Sequence, residues 1–112
     1  MPRDDLAYLY DMLLAARDAV DFATGLTYTE FAQSRLHQNA ILKAIEIIGE
    51  AAARVSASTK EVYPAIPWIK IVGMRNRLVH AYFEVQLQRV WDTVQYDLPP
   101  LIAYLASLLP PD

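Results

Sequence analysis

The chain has 112 residues, a length that suits one compact domain (residues 1–112) and leaves too little for two. Hydrophobic residues make up 54 % of it and charged residues 21 %, which excludes intrinsic disorder, and no apolar run approaches the roughly 20 residues of a membrane-spanning helix. The chain has no Cys and two His, which excludes thiolate metal sites, and its three Gly stand too far apart for a glycine-rich phosphate cradle. We therefore expect neither a metal nor a cofactor. Its first residues do not resemble a secretory signal, and we expect a cytoplasmic location.

Charge is unevenly distributed along the chain. The formal net charge is −3, which taken alone argues against a nucleic-acid-binding protein. Residues 60–89, however, contain five Lys and Arg against two Glu, a local charge of +3. We therefore expect a polyanion, if one binds, to bind this part of the chain.

Two helices are predicted for the first half of the chain. Apolar residues recur every three or four positions from 4 to 23, and Gly25 follows, as is typical of an amphipathic helix and its C-terminal end. Thr27 and Glu30 have the spacing of a capping box, and the same apolar spacing continues behind them. We expect one long helix over about 28–56.

The connection that follows is rich in proline. Ser58 and Glu61 form a second possible capping box, but Pro64 and Pro67 leave room for only one short turn before an extended segment. Pro67 itself suits the first position of a new helix.

Two further helices complete the predicted fold. The third should run from Trp68 to about Val79 or beyond. The fourth should begin at about Val85 and, at Pro99–Pro100, either kink or split into two helices in line. No segment has the two-residue alternation of a half-buried strand. The prediction is an all-α, up-and-down bundle of four to five helices.

The third helix carries polar residues among its apolar stripes. Arg75 lies in one stripe and Asn76 in the other, so each must be hydrogen-bonded or stand at a cleft. Arg75 could be a structural residue that pairs with Glu46 or Glu50 of the long helix, or it could be a functional cation. A lone His such as His80 is commonly a surface residue, and no carboxylate precedes it at metal-ligand spacing.

A wider frame of residues surrounds these positions and resembles a known family. It comprises segment 45–51, Tyr63-Pro64, Pro67-Trp68, Gly73-Met74-Arg75-Asn76, His80-Ala81-Tyr82-Phe83, Val90-Trp91 and Asp97-Leu98-Pro99. The frame resembles the HepT-like toxins of the HEPN superfamily of helical ribonucleases, over nearly the whole chain. Arg-x4-His alone is a weak pattern, whereas Arg-x4-His-x-Tyr with Asn directly after the Arg is specific.

This resemblance implies an activity and a partner. It makes Arg75, His80 and Tyr82 the motif residues, supported by Asn76, in a bundle of HEPN type. It implies metal-independent endoribonuclease activity at a site built across a homodimer, in the toxin of a type VII-like toxin–antitoxin pair. It also implies a minimal nucleotidyltransferase antitoxin, which transfers AMP from ATP onto Tyr82.

The motif residues suit RNA cleavage, because RNA carries its own nucleophile in the 2′-hydroxyl. The reaction needs a base, an acid and a cation for the charge that builds on phosphorus. His80 could act as general acid or base near neutral pH, and the Arg75 guanidinium matches phosphate oxygens. Each chain offers one motif His, so a two-fold dimer would supply two.

Two other interpretations stay open from the sequence. The chain could be a non-catalytic helical module that binds a nucleotidyltransferase and is modified on Tyr82. It could also be a structural bundle, in which Arg75 is a salt-bridge partner and Tyr82 a core aromatic residue.

Overall fold

The computed structural model describes residues 1–80, the last three by backbone alone, and residues 87–111. Regular structure within these ranges is helical: α1 (Arg3–Ala23), α2 (Tyr28–Ala32), α3 (Arg35–Arg54), α4 (Ala57–Val62), α5 (Trp68–His80), α6 (Leu87–Asp92) and α7 (Leu98–Leu108), with a π-helical turn, Thr93–Asp97, between α6 and α7. The predicted all-α bundle is confirmed. None of these helices is long and apolar enough to cross a membrane.

The core lies mainly between α1 and α3, with α7 packed beside α1 and α5 packed beside α3. The largest fully buried side chains are all apolar: Leu9, Met12, Phe31, Ile41, Ile66, Val90, Val94 and Leu105. Burial of one such side chain contributes roughly 1.5–3 kcal/mol relative to exposure. The amphipathic spacing of the sequence therefore decides which face of each helix turns inward.

The predicted single helix over 28–56 is wrong, because the chain breaks at Gln33–Ser34 into α2 and α3. The capping box predicted at its start is present: Glu30 N donates to Thr27 Oγ1 at 3.1 Å, and Thr27 N donates to Glu30 Oε1 at 2.9 Å. The local start signal was therefore correct, and the error concerns only the length of the helix.

Two side chains stabilise the break between α2 and α3. Ser34 caps α3, since its Oγ accepts a hydrogen bond from His37 N at 3.3 Å. The buried Gln38 donates its side-chain amide to the carbonyl oxygens of Phe31 and Ala32, both at 3.0 Å. These carbonyls lie at the end of α2, where a helix leaves its last C=O groups without helical partners.

The predicted capping box at Ser58 is also wrong. Ser58 is the second residue of α4, and the cap is Ser56, whose Oγ accepts from Thr59 N at 3.4 Å. Ser56 is held there by the buried Asp5 carboxylate, which accepts hydrogen bonds from its backbone N and its Oγ. The first turn of α1 thus determines where α4 begins.

The last helical segment departs from α-helical geometry just before its two prolines. In the π-helical turn, Leu98 N donates to Thr93 O, five residues back. Pro99 and Pro100 stand in the first turn of α7; they lack N–H groups, and their rings would clash with the carbonyls four residues earlier. The expected interruption is present as this π-helical turn, which lies just before the prolines. The predicted start at Val85 lies outside the described residues.

Candidate active site

Helix α5 begins directly after Pro67, as predicted, and packs against α3. The two helices approach each other closely at Gly49 of α3. A Cβ built on Gly49 would overlap the Arg75 Cβ and would lie 3.5 Å from Ile71 O. Because Gly49 has no side chain, the Cβ of Arg75 can pack directly against the α3 backbone.

The Arg75 guanidinium is held at both terminal nitrogens. Nη1 donates to Asn76 Oδ1 at 2.8 Å, and Nη2 lies 3.8 Å from Glu50 Oε1. Nε is buried and has no hydrogen-bond partner in the described part of the chain. Of the two predicted carboxylate partners, Glu46 and Glu50, the structure brings Glu50 to Arg75.

The ion pair between Arg75 and Glu50 is long and partly open to solvent. The two side chains are 34 % and 38 % exposed. A pair of this kind contributes about 0–1 kcal/mol to stability. Its contribution to the fold is small, and the guanidinium stays accessible to an anion from solution.

The other predicted site residues follow Arg75 in the sequence. Asn76 is exposed, and His80, one turn after Asn76, is the last described residue of α5. The rise from position 75 to position 80 is about 7.5 Å along the helix axis. Tyr82 lies outside the described residues, so its place beside Arg75 stays a prediction.

The described residues cover the outer face of α5 poorly. We define this face as Ile69, Val72, Gly73 and Asn76. Ile69 is 91 % exposed, and Val72 is half-buried. A Cβ built on Gly73 would meet nothing within 4 Å in the described part of the chain. Glycine inside a helix costs roughly 0.5–1 kcal/mol of stability relative to alanine. Because glycine has no side chain, another molecule can approach the α5 backbone closely at Gly73.

Basic side chains lie on and beside α5. Arg77 is exposed. Lys70 Nζ lies 3.4 Å from Asp97 Oδ2 in an exposed ion pair, and Lys60 Nζ lies 5.7 Å from the centroid of the Trp68 ring. Among the described residues, no group of three His, Asp or Glu side chains is placed to hold a metal ion.

The sequence matches the family model described as Ribonuclease HepT-like over residues 12–108. The chain belongs to the HepT-like ribonuclease family. Family membership confirms the resemblance predicted from the motif frame, and with it the HEPN type of the helical bundle.

Relatives of this HepT-like chain carry ribonuclease names. The chain is 37 % identical over 99 residues to the Methanocaldococcus jannaschii protein "Putative RNase MJ1380", a match that covers 88 % of the chain and 91 % of the relative. It is 36 % identical over 101 residues to the Thermococcus cleftensis protein "Probable ribonuclease HepT", covering 90 % of the chain and 92 % of the relative. No solved structure is significantly similar to it.

Two features of this HepT-like bundle were not predicted from the sequence. One is the choice of Glu50 rather than Glu46 as the partner of Arg75, for which the adjacent Gly49 was an available signal. The other is an apolar cavity of about 420 Å³ between α3, the start of α5, the π-helical turn and α7. Ile45 and Leu101 both line it, and residues so far apart in the chain leave no local pattern for such a cavity.

Proposed function

We propose that this HepT-like protein is a metal-independent endoribonuclease, the toxin of a type VII-like toxin–antitoxin pair, with Arg75 and His80 as catalytic residues. The observation that carries the proposal is the Arg75 guanidinium, which is partly exposed and bound to Asn76 one turn before His80. A guanidinium fork presented in this way matches the oxygens of a phosphate. Family membership supports RNA as the substrate.

The proposed reaction starts from a nucleophile that the substrate itself supplies. The 2′-hydroxyl attacks the adjacent phosphorus, and Arg75 stabilises the charge that develops on the phosphorane. His80 transfers a proton to or from one of the reacting oxygens. Asn76 supports Arg75, because it accepts the hydrogen bond from Nη1.

We propose a homodimer that pairs two α5 outer faces as the active form. The exposed Ile69 and the mid-helix Gly73 support this, since the described residues make little use of either. Pairing would bring two Arg75 and His80 sites together and would double the local positive charge, which favours a polyanionic substrate.

Control of the toxin is proposed to act through Tyr82 and a second protein. The family resemblance implies a minimal nucleotidyltransferase antitoxin that transfers AMP from ATP onto Tyr82, two residues after His80. The adduct would add a negative charge and a bulky nucleoside beside Arg75, and so block phosphate binding. We place both proteins in the cytoplasm, where RNA and ATP are available.

RNA cleavage by the purified protein in the presence of EDTA tests the proposed enzyme. His80→Ala and Arg75→Ala should each lower the rate at least about 10²-fold, the usual scale for proton-transfer and electrostatic groups. The same changes away from α5, His37→Ala and Arg17→Ala, should leave it unchanged, with matching helical CD and thermal melts throughout. Full activity in both α5 variants would overturn the assignment, and inactivity of the unchanged protein would favour the non-catalytic module.

Modification is tested with ATP, magnesium and the nucleotidyltransferase encoded beside this chain. The protein is weighed intact, and the modified peptide is mapped. We expect an AMP adduct on Tyr82 that abolishes RNA cleavage, and no adduct in Tyr82→Phe. Inhibition of an unmodified protein by the same partner would contradict control through Tyr82.

A further inference from the structure

A single motif His leaves the proton-transfer chemistry of one chain incomplete. In-line cleavage of RNA needs a base beside the 2′-hydroxyl and an acid beside the leaving 5′-oxygen, on opposite sides of the phosphorus. His80 can fill one of these places in a given step. In the proposed dimer a second copy of His80 is one candidate for the second group, and a titratable side chain within reach of a phosphate bound to Arg75 is the other.

Glu50 is in the right place for this second group. Among the described residues it is the one carboxylate within 4 Å of the Arg75 guanidinium, with Oε1 3.8 Å from Nη2. Its side chain is 38 % exposed, so a substrate can reach it. A phosphate oxygen bound to Nη2 would lie about 2.8 Å from that nitrogen, which brings the neighbouring ribose close to the carboxylate.

Glu50 and Asn76 contact different terminal nitrogens of the guanidinium. Glu50 approaches Nη2 from α3, whereas Nη1 is bound by Asn76 on α5, and His80 follows Asn76 by one helical turn. A phosphate held by Arg75 would therefore have the Glu50 carboxylate on its α3 side. An in-line displacement places the acid on the opposite side of the phosphorus, which leaves that place to the motif His.

We propose that Glu50 is the general base of the cleavage reaction and that His80 is its general acid; the inference rests on the ribonuclease function proposed above. The Glu50 carboxylate takes the proton of the 2′-hydroxyl while the bond from the 2′-oxygen to phosphorus forms. The bond from phosphorus to the 5′-oxygen breaks, its electron pair stays on that oxygen, and His80 protonates it. The products are a 2′,3′-cyclic phosphate and a 5′-hydroxyl, and proton exchange with water restores both side chains.

Glu46 provides a matched control for Glu50. It lies one turn earlier on α3 and is likewise half-buried, but no ion pair joins it to Arg75. Arg75 on α5 lies within ion-pair distance of Glu50, and the charged residues one turn from Glu50 on α3 are Glu46 and Arg54. No ion pair connects Glu50 to the described residues of α1.

The first test compares the pH dependence of RNA cleavage in EDTA for Glu50→Gln, Glu50→Asp and Glu46→Gln. Glutamine keeps the size of Glu50 and can still accept a hydrogen bond from Arg75, but it cannot take a proton. We expect kcat of Glu50→Gln to fall at least about 10²-fold with KM little changed. The decrease in cleavage rate that the unchanged protein shows toward low pH should be absent in this variant. Glu50→Asp should keep part of the rate, and Glu46→Gln should match the unchanged protein.

A second substrate separates the base from the acid. Once the cleavage position is mapped, RNA with sulfur in place of the 5′-bridging oxygen there offers a leaving group that needs no protonation. His80→Ala should recover much of its lost rate on this RNA, whereas Glu50→Gln should not. Recovery by Glu50→Gln would show that Glu50 is not the base.

The outcomes distinguish this inference from the function on which it rests. If the unchanged protein cleaves RNA and Glu50→Gln cleaves it equally well, Glu50 only positions Arg75, and this inference alone fails. If the unchanged protein cleaves no RNA, the proposed function and the inference both fail.

Discussion

At the scale of single residues, Gly49 controls the distance between Arg75 and α3. Gly49→Ala would place a methyl group on the Arg75 Cβ, so α5 must move away from α3. We expect the free energy of unfolding to fall by about 1–3 kcal/mol, the usual cost of overpacking. RNA cleavage should fall with it, because Arg75 would lose its position beside Glu50.

Denaturant unfolding and cleavage assays check this prediction. Ala53→Ser, at an exposed position one turn later on α3, serves as the control and should change stability by no more than about 0.5 kcal/mol. Unaltered stability in Gly49→Ala would mean that the two helices can separate at no cost, contrary to the argument from their close contact.

At the scale of helical elements, Gln38 joins the end of α2 to the start of α3. Gln38→Leu fills the same buried space but leaves the carbonyls of Phe31 and Ala32 without their side-chain donor. The Phe31 carbonyl still accepts from Ser34 N at 3.1 Å, so the Ala32 carbonyl is the group left without this donor. We expect a loss of about 1–3 kcal/mol in the free energy of unfolding, the cost of leaving one such polar group unsatisfied. Chemical denaturation measures it, with the exposed Gln33→Leu as the control; equal effects of the two variants would contradict a specific role for Gln38.

The buried Asp5 carboxylate joins α1 to α4. It accepts hydrogen bonds from Ser56 Oγ at 2.5 Å, from Thr59 Oγ1 at 2.6 Å and from Ser56 N at 3.0 Å. The side-chain hydrogen bonds from Ser56 and Thr59 hold the pKa of Asp5 below its ordinary value. The folded protein therefore takes up this proton at a lower pH than the unfolded chain does.

The stability that Asp5 contributes should depend on pH. It is fully present above the ordinary carboxyl pKa of about 3.9, and it is lost as the pH falls through the lower pKa of the folded state. We expect Asp5→Asn to be less stable than the unchanged protein at pH 7 and to lose less stability on acidification. Unfolding curves between pH 7 and pH 2 test this, with the exposed Asp4→Asn as the control; parallel curves for all three proteins would contradict it.

At the scale of the whole molecule, the thin shape of the bundle leaves the α5 outer face uncovered by the described residues. The molecule measures 42 × 29 × 19 Å, and its shortest dimension corresponds to about two helix diameters. A helix in such a two-layer arrangement is covered on one side only. The proposed dimer would cover the outer side of α5.

Gly73→Ala tests the proposed dimer through effects of opposite sign. Alanine is better than glycine in a helix by about 0.8–1 kcal/mol, and the new methyl group meets no described residue, so the monomer should become more stable. The dimer should become weaker, because the added methyl group obstructs close approach. Sedimentation equilibrium and the concentration dependence of RNA cleavage measure this second effect.

Asn39→Ala is the control for this change in helix propensity. Asn39 is exposed in the second turn of α3, so the substitution should stabilise the fold without affecting assembly. A Gly73→Ala protein that dimerises and cleaves RNA as well as the unchanged protein would place the interface elsewhere.

The sequence by itself determined the features that depend on neighbouring residues. The capping box of Thr27 and Glu30 was predicted correctly because both partners lie within four positions of each other. The start of α5 after Pro67 was predictable because proline suits the first turn of a helix, where an N–H group has no helical partner. The family could be identified because the spacing of a motif is a property of the chain before it folds.

Only the tertiary structure decided which distant residues meet. Glu46 and Glu50 lie one turn apart and were equivalent candidates as partners of Arg75, until the close approach at Gly49 brought Glu50 to the guanidinium. The contact of Asp5 with Ser56 joins residues 51 positions apart and sets where α4 begins. Such contacts depend on the distances and angles between helices, which all the packed side chains of the core determine together, so no local pattern in the sequence specifies them.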